Sequence, residues 1–373
     1  MRNLDKFRGC LLAGAAGDAL GFEVEFLPEE TIFLRFGENG ITEYRLRDGV
    51  AQISDDTQMT LFTATGLLLG TTRGMTRGIM GSYESYIRYS YKDWYKTQTE
   101  KFPLEEDYHY SWLVNLPQIF ARRAPGNTCM SALGTDEKGT TKRPINRSKG
   151  CGGVMRVAPI GLYFCDRMAT IYDSDQIGAE TAAITHGHDL GWLPAAALVH
   201  IIRRLAENEE ETVLHAVQDS MEALKKLYPE SDYLHVLLNL MQKAIDLSKE
   251  ECDDLDAIHM LGQGWVAEET LAIAIYCAMK YPTDLEKALI AAVNHNGDSD
   301  STGAVTGNIL GASLGMKGIP QKFLDNLELK DVILEIADDL YNDCRIEEYG
   351  DYEDPVWVAK YIEMCYPSKV SNT

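Results

Sequence analysis

Apolar residues return along this chain with a helical rather than an alternating rhythm. From Thr212 to Tyr228, the positions Val213, Leu214, Val217, Met221, Leu224 and Tyr228 form one stripe, with Glu and Lys on the other side, as in an amphipathic helix laid on a core. The same period marks 57–70, 193–206, 233–249, 265–280 and 330–342. Thr283-Asp284-Leu285-Glu286 has the form of a capping box ahead of the apolar run Ala288 to Val293, which predicts a helix that stops near His295. Alternation suited to a strand is confined to the stretch from Ile41 to Ile53, with Asp48-Gly49 as its turn. The pattern predicts an all-α fold.

Two helical stretches run against local propensity. Gly303, Gly307, Gly311 and Gly315 recur at every fourth position, and Gly14, Gly17 and Gly21 flank Asp18 in the same manner. A glycine inside a helix costs about 1 kcal/mol relative to alanine, so close packing of backbones must offset the loss. Both helices are therefore expected at the centre. The segment 96–150, rich in Pro, Gly, Thr and Lys, predicts loops around one helix near 111–123. With no internal repeat and no linker, the chain reads as a single domain over 1–368 and a flexible tail at 369–373.

Composition narrows the classes of function. Apolar residues make up 45% of the 373 and charged residues 25%, a profile of globular structure throughout. A net charge of -22 would repel polyphosphate, so no nucleic-acid partner is expected. No apolar run approaches the roughly 18 residues of a membrane span, and the short run Cys10 to Ala16 is broken by Asp18 and lacks the flanks of a signal peptide. Eight cysteines without a CxxC pair are expected to stay reduced. A monomeric cytoplasmic protein is the expectation.

Chemistry concentrates in two short acidic segments. Ser54-Asp55-Asp56-Thr57 and Asp298-Ser299-Asp300-Ser301-Thr302 each stand at the start of a helical run. Asp and Ser are good N-caps, and negative charge is favoured at a helix start, so capping explains part of each segment. One carboxylate and one hydroxyl would suffice for that, whereas each segment brings two carboxylates. If the two helices pack, four aspartates form an oxygen-lined pocket whose charge two divalent cations would balance. Hard oxygen donors without His or Cys favour Mg²⁺, with Mn²⁺ or Ca²⁺ as alternatives, over zinc. Ile309 stands where an EF-hand loop begun at Asp298 would need glutamate, and no Gly-Lys-Ser/Thr follows a glycine-rich turn, which removes a P-loop. Gly150-Cys151-Gly152-Gly153 offers a run of unhindered backbone N–H groups suited to a pyrophosphate, or else a tight turn.

These segments, taken in order, resemble the ADP-ribosylglycohydrolase family. The matching blocks are Gly9 to Glu25, Ile53 to Thr57, Gly150 to Leu162, Thr185-His186, Gly264 to Met279 and Gly297 to Gly303. The resemblance implies a compact, single-domain orthogonal helical bundle with two Mg²⁺ ions, Mn²⁺ being the substitute. It implies as metal ligands Ser54, Asp55, Asp56, Asp298, Asp300 and Ser301, and as catalytic residues Asp55, Asp56 and Glu25, the last on a loop that closes over the metals. Gly150, Cys151, Gly152, Gly153 and His186 are then substrate-binding residues on the phosphates, and His188 ranks below His186. Trp265 is a candidate to stack on a base or ribose, although an aromatic at a helix start more often belongs to the core. The implied reaction is hydrolysis of the glycosidic bond between ADP-ribose and a protein side chain. The DSDST form and the Gly150-Cys151-Gly152 turn resemble the arginine-type hydrolases and tilt the expectation toward ADP-ribosylarginine. Serine-linked ADP-ribose, O-acetyl-ADP-ribose, two-metal phosphodiester cleavage and a non-catalytic ADP-ribose-binding protein are the alternatives.

Overall fold

The computed structural model describes residues 2–106, 108–167 and 169–366. The expected tail at 369–373 lies outside the described residues. In chain order the helices are α1 (Leu4–Gly21), α2 (Glu29–Phe36), α3 (Asp55–Arg77), α4 (Tyr83–Thr99), α5 (Asn127–Leu133), α6 (Ala158–Tyr163), α7 (Ile171–Ala183), α8 (Asp189–Glu207) and α9 (Val213–Leu227). They continue with α10 (Leu234–Leu247), α11 (Asp254–Leu261), α12 (Ala267–Lys280), α13 (Leu285–Val293), α14 (Ser299–Leu314), α15 (Gln321–Leu324), α16 (Lys330–Asn342) and α17 (Pro355–Tyr361). The fold is an all-α bundle, and the described residues form only isolated β-bridges and no sheet.

The centre of the bundle is the pair α1 and α14, and glycine is what allows it. A Cβ added at Gly17 would stand 2.0 Å from the carbonyl oxygen of Gly303, and one at Gly303 would stand 2.5 Å from that of Gly17. The helices thus touch backbone to backbone, and the buried Asn308 side chain donates to the Cys10 carbonyl across the seam at 2.9 Å. Gly315 departs from the expected stripe: with φ 72° it closes α14 as its C-cap. Helices α12, α13 and α16 pack around this pair, and the start of α3 reaches the place where α1 ends and α14 begins. Three chain segments, the end of α1 and the starts of α3 and α14, therefore converge.

Four details correct the sequence reading. The helix expected near 111–123 is two 3₁₀ turns, Trp112–Asn115 and Pro117–Phe120, because Pro117 supplies no N–H and holds Leu116 extended. The segment 96–150 also holds the end of α4 and all of α5. The cap of α13 is Asp284, which accepts from the Lys287 N–H at 3.0 Å, while Glu286 accepts from Lys322 instead of closing a capping box with Thr283. The stretch from Ile41 to Ile53 makes no strand. Its Asp48-Gly49 turn is present, with φ of 52° and 83° under an Arg47–Val50 bridge, and Ala51 pairs with Leu327.

Candidate active site

Asp18 organises the convergence. It is fully buried in α1, and its carboxylate accepts the backbone N–H of Ser54 at 3.0 Å and of Thr57 at 3.0 Å, together with the Thr57 hydroxyl. A carboxylate from one helix thus caps the start of another and fixes Asp55 and Asp56 relative to α1. Burial, and then the charge of Asp300, push the Asp18 carboxyl up to about 7 against the Thr57 and Ser54 hydrogen bonds.

The two acidic segments meet directly. Ser301 in the first turn of α14 donates its hydroxyl to Asp56 Oδ2 at 2.8 Å, across 245 residues of chain. Asp298 both caps α14, accepting from the Ser301 N–H at 3.3 Å, and accepts from Cys151 Sγ at 2.8 Å through its other oxygen. Asp55 accepts from the Gly126 N–H at 3.4 Å. Ser54 spends its hydroxyl on the Asp56 N–H at 3.2 Å, as N-cap of α3, and stays behind the cavity wall. The capping explanation and the clustering explanation both hold, because the same two segments that start the helices also face one another.

The tightest acidic group joins Glu25, Asp298 and Asp300, each with a carboxylate oxygen within 4.8 Å of the others. Asp55 and Asp56 stand outside this group but line the same cavity of about 400 Å³. Glu25 Oε2 is buried and has no hydrogen-bond partner. Burial and the negative charges of Asp300, Asp298 and Asp55 raise the Glu25 carboxyl to about 11, and burial and like charge push Asp55, Asp56 and Asp298 well above the ordinary carboxylate range. Buried carboxylates facing each other, one with an orphaned oxygen, lack a counter-charge. A divalent cation held by hard oxygens fits that deficit.

The other wall is polar and unhindered. Gly150, Cys151 and Gly152 line it, whereas Gly153 is packed away, with an added Cβ at 2.5 Å from the Gly191 carbonyl. The buried His186 reaches the wall beside Gly150 and Gly152. Its Nδ1 is 2.8 Å from Thr185 Oγ1, which accepts from the fully buried Arg156 at 2.7 Å. Given to Nδ1 in preference to the Ala182 carbonyl at 3.5 Å, the hydroxyl proton would leave Nε2–H as the donor facing the cavity. Burial, then Arg156, hold the imidazole down near 3, so the ring is neutral. His188 instead caps α8, accepting from the Leu190 N–H at 3.0 Å. Trp265 lines the rim together with Phe26 and the exposed Arg122.

Sequence reasoning left out Phe26, Arg122, the segment 124–128 that leads into α5 and the supporting Asp18. For Asp18 the signal existed: a carboxylate between glycines of a bare helix face must be buried and hence partnered. Residues 122–128 have no periodicity and gave none. A larger groove of about 990 Å³ shares no residue with this site, and its Asp254 and Glu286 are occupied by Tyr276, Tyr281 and Lys322.

The sequence pattern that defines the ADP-ribosylglycohydrolase family matches residues 1–349. The chain belongs to this family. It is accordingly a hydrolase of the ADP-ribosylglycohydrolase class. It is 24% identical to human ADP-ribosylhydrolase ARH3 over 88% of this chain and 90% of that protein. It is 25% identical to ADP-ribosylarginine hydrolase Tri1 of Serratia proteamaculans over 93% and 82%. A solved structure described as an ADP-ribosylglycohydrolase-related protein complex shares the fold with a TM-score of 0.58, at 22% identity and covering 91% of this chain and 98% of that one. Among the described residues no helix is long and apolar enough to cross a membrane.

Proposed function

We propose that this family member hydrolyses the glycosidic bond between ADP-ribose and a protein side chain, arginine first, with two Mg²⁺ ions that Mn²⁺ replaces. The observation that carries the reading is the Ser301–Asp56 hydrogen bond, which joins two helix starts into one buried wall of carboxylates. Asp55, Asp56, Asp298, Asp300 and Ser301 are the proposed ligands, with Ser54 behind them as the N-cap of α3, and the position of Glu25 against Asp298 and Asp300 adds it to their neighbourhood. Bound there, the cations would supply orientation of ribose hydroxyls and a more acidic water.

The protein groups do the rest. Along the turn Gly150, Cys151 and Gly152, where the Trp265 carbonyl holds the Cys151 N–H, the Gly152 N–H and the His186 Nε2–H receive pyrophosphate oxygens. Loss of the leaving group develops positive charge on the sugar, and the surrounding carboxylates stabilise it. Asp55 or Asp56 takes the proton from the attacking water and passes it to the departing side chain, and Glu25 at the rim governs access. The arginine preference is supported by the likeness to the Serratia protein and by the Asp298 to Thr302 segment.

The test is a panel of peptides carrying Arg-, Ser- and Asp/Glu-linked ADP-ribose, with O-acetyl-ADP-ribose, assayed with and without chelator. Release of intact ADP-ribose from the arginine-linked peptide, lost with chelator and in Asp55→Ala, is the expected result. AMP or inorganic phosphate would mean phosphoryl chemistry, and tight ADP-ribose binding without turnover would mean a binding protein.

A further inference from the structure

Phe26 follows the Glu25 carboxylate directly and holds φ at 64°, a left-handed conformation that a bulky residue keeps only where its surroundings impose it. Its ring is 67% exposed, yet it stacks on Trp265 with centroids 5.4 Å apart and planes within 21°. Trp265 is itself 37% exposed. Its backbone is anchored: the Trp265 carbonyl accepts from the Cys151 N–H at 3.3 Å, Val266 bridges to Gly150, and Gly264 turns the chain with φ 80°. Two large rings are thus fixed at the rim of the acidic cavity without being buried, so core packing does not account for them. Next to them stand the carboxylates of Glu25, Asp298 and Asp300.

An aromatic face beside carboxylates selects a planar, delocalised cation. The ring quadrupole and the negative charges attract the same guanidinium, and its plane stacks on the ring, whereas a serine hydroxyl offers neither charge nor plane and an ester offers a plane without the charge. We propose that Phe26 and Trp265 recognise the departing side chain as a guanidinium, and so set a preference for arginine-linked over hydroxyl-linked ADP-ribose. The inference rests on the glycohydrolase reading and names the residues that decide its acceptor. The two rings are too close to admit a third plane between them. The guanidinium therefore stacks on the open face of Phe26, and Trp265 backs it.

Phe26→Leu keeps apolar bulk and removes the π face. It is expected to lower kcat/KM on an arginine-linked ADP-ribosyl peptide by about 5- to 30-fold, the size of a partly desolvated cation–π contact. The serine-linked peptide should lose much less, and Phe26→Tyr should restore the arginine preference. An equal fall for both linkages would overturn the proposal, since the pair would then serve only as a lid or an ADP-ribose platform. A second measurement does not depend on turnover. Nα-acetylarginine amide and its neutral analogue Nα-acetylcitrulline amide are titrated onto the full chain, with and without ADP-ribose, following tryptophan fluorescence, with Trp265→Phe assigning the signal. Tighter binding of the arginine compound, abolished by Phe26→Leu, is expected, and equal binding of the two compounds refutes the assignment. If the wild-type chain cleaves neither linkage, the glycohydrolase reading fails, and this titration still decides the role of the aromatic pair.

Discussion

At the scale of single residues, the site works through groups that each serve two neighbours. Ser301 Oγ is the one side-chain donor to Asp56 among the hydrogen bonds of the described residues. Ser301→Ala leaves that carboxylate facing Asp55, Asp298 and Asp300 unaided. The expected outcome is a loss of roughly 10- to 100-fold in Mg²⁺ affinity by calorimetry, the range for removing a partner that orients a ligand, with unchanged helix content. Unchanged affinity would mean that neither Ser301 nor the Asp56 oxygen it holds meets the metal. Thr185 links Arg156 to His186 in the same way. In Thr185→Val the buried guanidinium keeps Thr181 O but loses a partner, and His186 loses its Nδ1 partner. Denaturant unfolding should register a cost of about 1–3 kcal/mol, and KM for an ADP-ribosylated peptide should rise.

At the scale of helices, the decisive contact is backbone against backbone. In an isolated helix Gly17→Ala would stabilise by about 1 kcal/mol. Here the added methyl would stand 2.0 Å from the Gly303 carbonyl oxygen, an atom that cannot swing aside. Packing outweighs propensity, so the substitution should lower Tm and cost about 1–3 kcal/mol. A neutral or stabilising outcome would mean that α1 and α14 do not sit this close. Because Asp18 lies one turn-face from Gly17 and holds the start of α3, the same substitution should also weaken metal binding. The helix starts are where fold and chemistry share atoms: Asp298 caps α14 with one oxygen and faces the cavity with the other.

At the scale of the whole molecule, stability depends on a charge deficit. Asp18 at about 7 and Glu25 at about 11 keep their protons in the cation-free fold at pH values where the unfolded chain has given them up. Between the ordinary carboxylate range and those values the native state binds more protons than the unfolded one, so stability falls as pH rises. Chelated protein should therefore lose Tm steadily from about pH 4 to pH 7 and beyond. On the proposed function Mg²⁺ would replace the lost protons as counter-charge, and its stabilisation should grow with pH, being larger at pH 8 than at pH 5 in parallel melts. A chelated protein whose Tm climbs across that range would contradict the arrangement of these carboxylates.

What the sequence determined by itself follows from period and composition. The stripes at 212–228, 265–280 and 330–342 appear as α9, α12 and α16, because an apolar stripe at helical spacing can be buried in only one way. The glycine stripes foretold the central pair for a similar reason: nothing else offsets their cost. The two aspartate segments were legible as helix starts from residue type alone. Tertiary structure decided the remainder, since capping and clustering look identical along a chain. Only packing of the start of α3 against the α1–α14 pair brings Asp18 to Ser54 and Ser301 to Asp56. It also set Glu25 against Asp298 and Asp300, drew Arg122 and Phe26 to the rim, and withdrew Gly153 into the core. Distances between residues hundreds of positions apart depend on how helices fit, and no local pattern encodes them.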